Sequence, residues 1–198
     1  MLLQRLLPVI LLTASLFACD DRSSLSYNPE IDELLALAEN IQFTQSDTAL
    51  IIARQALEKS EKKNYPLGIG TSSELMGSLL YHMGGLSPAI EHLNNALSIY
   101  EGLELSVQQA ETNLLLAKVY QRSGNANQAF LYLHRAQNLF AQVKNDHGKA
   151  QVYGSLGHYY EKSEQYDSAL HYQLLALSIL SKSGENATTA EIHDNIGS

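Results

Sequence analysis

Residues 128–137 read QAFLYLHRAQ and residues 168–177 read SALHYQLLAL, and the two strings superpose at a spacing of 40 residues. Moving upstream by the same interval gives PAIEHLNNAL at 88–97 and TALIIARQAL at 48–57. Two alanine series run through all four copies: Ala49, Ala89, Ala129 and Ala169, and two helical turns further on Ala56, Ala96, Ala136 and Ala176. Apolar residues in each string recur every three or four positions instead of alternating, which is the period of a helix with one buried face.

Ahead of three of these strings stand ELMGSLLYHMGG (74–85), TNLLLAKVYQRSGN (112–125) and YGSLGHYYEKSEQ (153–165). Each places Leu or Tyr toward one face and then runs into a polar or Gly-containing turn, so each period is a pair of helices. The spacing predicts first helices near 29–43, 68–83, 105–122 and 147–162, and second helices near 46–61, 87–101, 125–141 and 166–181. Ser87 before Pro88 reads as an N-cap followed by a first-turn proline, and Gly124 as a helix terminator. Lys62 to Pro66 reads as an interhelix loop, because a proline disfavours helical geometry in the residue before it.

These residues resemble the tetratricopeptide repeat family, in a long variant whose period is about 40 residues instead of about 34. The resemblance implies an all-α, right-handed superhelix of about four hairpins plus a partial fifth. The family's small first-helix position falls on Gly77, Ala117 and Gly157; its next aromatic falls on Tyr120 and Tyr160, with Leu80 substituted; the alanine series supplies the small positions of the second helix. Small side chains are needed where two helix backbones cross closely, and the tyrosines are expected to cover that crossing with their hydroxyls near water. In the first copy Leu37 takes the small position and Asn40 the aromatic one, which marks an irregular terminal repeat. The repeats are framed at 30–69, 70–109, 110–149 and 150–189.

The same resemblance implies that first helices line an inner surface. It assigns to that face Glu74, Tyr81 and His82 in the second copy, Glu111, Leu114, Lys118 and Arg122 in the third, and His158 and Lys162 in the fourth, with Thr71, Ser78, Gln121, Gln151, Gly154 and Glu161 between them. The surface is mixed in charge and does not reproduce the Lys- and Asn-rich carboxylate clamp of some chaperone-binding relatives. Lys118, Arg122 and Lys162 suit acidic side chains of a protein or peptide partner, while Tyr81 and Leu114 offer apolar contact.

The N-terminus reads MLLQRLLPVILLTASLFAC, with one cation at Arg5 and then an uncharged, mostly apolar stretch from Leu6 to Ala18. That stretch is short for a permanent bilayer span and suits a processed signal segment. Leu16, Phe17, Ala18 and Cys19 resemble the lipobox of bacterial lipoproteins, although Phe17 departs from the usual small or β-branched residue. The resemblance implies residues 1–18 as signal peptide, 19–29 as lipidated terminus and tether, acyl chains such as palmitate on Cys19, and Asp20 as an inner-membrane retention signal in a Gram-negative cell. The expected location is the cell envelope, on the periplasmic side of the inner membrane.

Composition narrows function by exclusion. Cys19 is the only cysteine, so an intramolecular disulfide framework or a multi-thiolate metal cluster is excluded. With 13 Lys+Arg against 21 Asp+Glu and no basic block, a nucleic-acid surface is not expected. His82, His92, His134, His147, His158, His171 and His193 form no HExxH or clustered ligand set, and there is no GxSxG. Gly68-Ile69-Gly70 and Met83-Gly84-Gly85 lack the lysine of a phosphate loop. The chain therefore reads as a non-enzymatic, cofactor-free adaptor tethered to the envelope, with an extracytoplasmic sensory input module as the alternative and self-association left open. Finally, AEIHDNIGS at 190–198 aligns with AQVYGSLGH at 150–158, which reads as the start of a fifth repeat and suggests truncation.

Overall fold

The computed structural model describes residues 28–183. The signal segment, Cys19, Asp20, His193 and the segment 190–198 lie outside the described residues. Eight helices follow one another: α1 (Pro29–Ile41), α2 (Ser46–Lys62), α3 (Pro66–His82), α4 (Leu86–Gly102), α5 (Ser106–Arg122), α6 (Ala126–Gln142), α7 (Asp146–Lys162) and α8 (Tyr166–Ser183). Each odd helix packs on the even helix after it, and each even helix then packs on the next odd one, which gives four hairpins stacked in a solenoid.

The regularity has a local cause. Helices α2 to α7 each hold 17 residues, and three-residue turns join them, so one residue every 20 takes a left-handed backbone: Asn64, Gly84, Glu104, Gly124, Lys144 and Glu164 all have positive φ. At each turn the residue after it donates its N–H to a carbonyl five positions back, as in Tyr65 to Ser60, Leu105 to Tyr100 and Gln165 to Tyr160. This is the Schellman ending, in which the last carbonyls of the helix are satisfied by the chain leaving it. Two 20-residue helix-and-turn units make the 40-residue spacing.

Gly124 terminates α5 as expected, but two sequence-level boundaries move. The N-cap of α4 is Gly85, so Ser87 and Pro88 lie inside the first turn. Pro66 begins α3 instead of closing a loop; the extended backbone it demands falls on Tyr65, the residue outside the helix. Hairpins accordingly begin at Pro66, Ser106 and Asp146, a turn ahead of 70, 110 and 150.

The small residues sit where helices cross. Ala49, Ala89, Ala129, Ala56, Ala96, Ala136 and Ala176 are fully buried and Ala169 nearly so. A Cβ on Gly77 would stand 2.6 Å from Leu93 Cγ and 3.2 Å from the Ala89 carbonyl; one on Gly157 would stand 2.8 Å from Gln173 Cγ and 3.3 Å from the Ala169 carbonyl. Ala117 is buried at the equivalent place with Leu133 and Ala136. In the first hairpin Leu37 does not take this role: it is 49% exposed, while Ala38 is fully buried in one cluster with Ala49 and Ala53. Eleven residues separate Ala38 from Ala49 where twelve separate Gly77 from Ala89, so the register of α1 shifts by one.

Tyr120 stacks on Tyr132 (ring centroids 5.4 Å, interplanar angle 8°) and Tyr160 on Tyr172 (5.3 Å, 3°). The two pairs lie one repeat apart and tie each first helix to its second, beyond the area they bury.

Candidate binding groove

Successive first helices touch one another, α1 with α3, α3 with α5 and α5 with α7, whereas successive second helices do not pack to a comparable extent. The stack therefore bends with its first helices inward. On that side a cavity of about 900 Å³ opens across three hairpins, within the range of ligand sites. Its walls include Tyr81 and His82 from α3, Lys118, Gln121 and Arg122 from α5, and Gln151, Gly154, His158, Tyr159 and Lys162 from α7.

One position of the wall lacks a side chain. At equivalent positions of α3, α5 and α7 stand Glu74, Leu114 and Gly154. A Cβ on Gly154 would meet nothing within 4 Å, so the glycine leaves open space between α5 and α7. The turn residues Gly124 and Ser163, with Ala126, Ala150, Ser155 and Leu180, complete the wall. These had no sequence signal as groove residues except through the phase of the turns.

Arg122 is held in place. Its Nη1 donates to the Tyr81 carbonyl at 2.8 Å and its guanidinium carbon lies 5.4 Å from the Tyr81 ring centroid. That contact reaches back by one repeat and preserves one face of the tyrosine. His82 meets Tyr81 and Phe43 edge to face, and His158 Nδ1 lies 3.7 Å from Glu161 Oε2.

Six residues expected on this surface do not line the cavity: Thr71, Ser78 and Glu161, and the three that follow. Leu114 is 4% exposed in a cluster with Ala117, Leu133 and Leu156, so its side chain is core and not a contact surface. Glu111 is exposed but does not line the cavity; partial desolvation pushes its carboxyl upward. Glu74 is turned into the seam between hairpins, where Tyr100 Oη donates to Oε2 at 2.8 Å and Thr112 Oγ1 lies 3.0 Å from Oε1. Burial raises the Glu74 carboxyl to about 7, against the lowering effect of those two hydroxyls and with help from the charges of Glu111 and Glu39. Thr112 Oγ1 is also 2.8 Å from the Gln108 carbonyl, so its one hydroxyl proton is shared between two acceptors.

Among the described residues no group of three His, Cys, Asp or Glu is placed to hold a metal ion, and no helix is long and apolar enough to cross a membrane. His134 packs edge-on against Phe130 and His171 against Tyr172, and burial lowers the His92 imidazole.

The tetratricopeptide repeat profile matches residues 108–197. No curated protein matches the chain in sequence. Solved structures are similar in shape. BtubC (BKLC) from P. vanneervenii superposes with a TM-score of 0.73 at 22% identity, over 84% of this chain and 70% of that one. The apo form of RapI gives 0.75 at 17% identity, over 87% and 64%. Aspartyl phosphate phosphatase F from Bacillus subtilis gives 0.76 at 18% identity, over 83% and 43%, so this chain spans less than half of that protein's length. At these identities the likeness is one of fold. Eight helices in four hairpins, small residues at each crossing and a groove on the first-helix side make this chain a tetratricopeptide-like solenoid.

Proposed function

We propose that the chain is a non-enzymatic scaffold that binds a protein or peptide in the groove of α3, α5 and α7, and that it is held at the bacterial envelope by acyl chains on Cys19. A tetratricopeptide-like solenoid is consistent with a protein- or peptide-binding scaffold. The observation that carries the reading is the cavity itself: it gathers Tyr81, His82, Lys118, Arg122, His158 and Lys162, drawn from three repeats, around one space of peptide size. The tether rests on the sequence alone, on Leu16, Ala18 and Cys19 after an apolar segment, with Asp20 favouring the inner membrane of a Gram-negative cell. An adaptor anchored this way would present its groove to envelope partners.

The groove is tested with Lys118→Glu combined with Arg122→Glu, by comparing proteins recovered with the wild-type and variant chains. Loss of a partner from the variant supports the location; unchanged recovery of every partner refutes it. The tether is tested separately by the mass of the mature N-terminus and by palmitate labelling of Cys19→Ser. An uncleaved, unmodified terminus ends that part of the proposal.

A further inference from the structure

The charge of the groove opposes that of the chain. The sequence carries a formal charge of −8, yet the cavity is lined by three cations, Lys118, Arg122 and Lys162, together with His82 and His158 and with no Asp or Glu in its wall. Glu161 stands at the rim beside His158, and Glu74 is committed to Tyr100 and Thr112.

The basic residues are also in register. His82, Arg122 and Lys162 are the last residues of α3, α5 and α7, one per repeat. A cation in the last turn offsets the helix macrodipole, which would account for each one singly. The second helices are less regular, since α4 and α6 end with no basic residue while α2 and α8 carry Lys62 and Lys182 in their last turns, so only along the inner helices does a basic residue recur in every hairpin from the second on. Lys118 and His158 place a second basic side chain one turn further in.

Neighbouring inner helices pack about 10 Å apart, and that sets the distance between rungs. An extended strand covers such a distance in about three residues but turns alternate side chains to opposite faces. A polyproline II helix rises about 3.1 Å per residue with three residues per turn, so its same-face residues recur about every 9 Å. It is also the conformation that aromatic-walled grooves take up, and Tyr81 and Tyr159 stand in this wall.

Resting on the reading of this groove as the binding surface, the geometry points to one form of occupant: an acidic segment in polyproline II conformation carrying Asp or Glu at every third residue, one carboxylate for each of His82, Arg122 and Lys162. Arg122 is the best prepared rung. The bond to the Tyr81 carbonyl fixes its guanidinium while using one of five N–H donors, so a carboxylate meets an ordered fork.

The test uses the full chain and two synthetic peptides of identical composition, Glu-Pro-Pro-Glu-Pro-Pro-Glu and Pro-Pro-Glu-Glu-Glu-Pro-Pro, followed by fluorescence anisotropy. The spaced peptide is expected to bind about ten-fold more tightly than the clustered one, and Arg122→Glu or Lys162→Glu, each checked for native circular dichroism, to remove about ten-fold of that affinity. Leu131→Glu, on an exposed position of α6, is the control and leaves binding unchanged. Equal affinity for both peptides overturns the spacing, and binding insensitive to both charge reversals overturns the site. If neither peptide binds while the Lys118→Glu, Arg122→Glu chain still loses its partner, the acidic segment is wrong and the groove reading stands; if that chain keeps its partner, the groove reading fails as well.

Discussion

Two glycines in the middle of inner helices are predicted to respond to the same substitution with opposite sign. Gly77→Ala and Gly154→Ala each gain helix propensity of about 1 kcal/mol. At Gly154 nothing opposes the gain, because the new methyl meets no atom within 4 Å. At Gly77 the methyl would lie 2.6 and 2.8 Å from Leu93 and 3.2 Å from the Ala89 carbonyl, which is backbone and has no rotamer to change. Overpacking of this kind costs about 1–3 kcal/mol. Gly154→Ala is therefore expected to stabilise by about 1 kcal/mol, and Gly77→Ala to be neutral or to destabilise by about 2 kcal/mol. Urea denaturation followed by helical circular dichroism reads both; in melting temperature each kcal/mol amounts to about 2–4 °C for a chain of this size. Equal stabilisation at both sites would refute the claim that Gly77 is kept small by the helix crossing.

Further expectations follow from the turns, the seam and the groove. Glu104→Gly, Lys144→Gly and Glu164→Gly should each stabilise by about 1 kcal/mol, since each native residue holds a left-handed backbone at φ of 56°, 55° and 59°; a loss of stability in all three would contradict the turn geometry. Glu74 binds its proton more tightly folded, near 7, than its ordinary value of 4.5, so its contribution is full below 4.5 and is lost as pH rises through 7, a fall on the order of 3 kcal/mol. Glu74→Gln should flatten most of the difference in urea midpoint between mildly acidic and mildly alkaline buffer, whereas Glu30, held at about 2 by Lys59 and Lys63, titrates below that window in both states; an unchanged slope would refute the seam. Leu114→Ala should cost about 2–5 kcal/mol as a core truncation, while Leu131→Ala stays within about 0.5 kcal/mol; parity between them would return Leu114 to the surface. Gly154→Phe should leave the melting temperature within a few degrees of wild type yet abolish partner recovery by filling the groove, and full recovery would place the ligand elsewhere.

Much of this fold was legible in the alanine spacing. Small residues at a fixed interval mark helix crossings, and in the second to fourth hairpins the crossings are where Gly77, Ala117 and Gly157 put them. The first hairpin misled because a fixed interval assumes a fixed connection: the α1–α2 turn has four residues instead of three and no left-handed residue, and the small position passes from Leu37 to Ala38. The half-period of 20 residues went unread, since Asn64, Glu104, Lys144 and Glu164 do not advertise the left-handed turn that Gly84 and Gly124 do. On the groove, the basic and aromatic residues at the ends of α3, α5 and α7 were placed by the family resemblance carried along the repeat register. Leu114 and Glu74 were misplaced because neighbouring hairpins press α5 and α3 from the side, which no single-helix pattern reveals. Gly154 carried the opposite information, since it stands in the cavity wall with open space where a side chain would be, and a glycine inside a helix reads first as packing.

The central claim is that a partner occupies the inner groove. A photo-crosslinking residue at Gln151, in the cavity wall, compared with one at Leu131, on the exposed side of α6, tests it most directly in cells carrying the full chain. The account predicts adducts from position 151 that disappear when Lys118→Glu and Arg122→Glu are added, and none of the same mass from position 131. Adducts from 131 with none from 151 would contradict it.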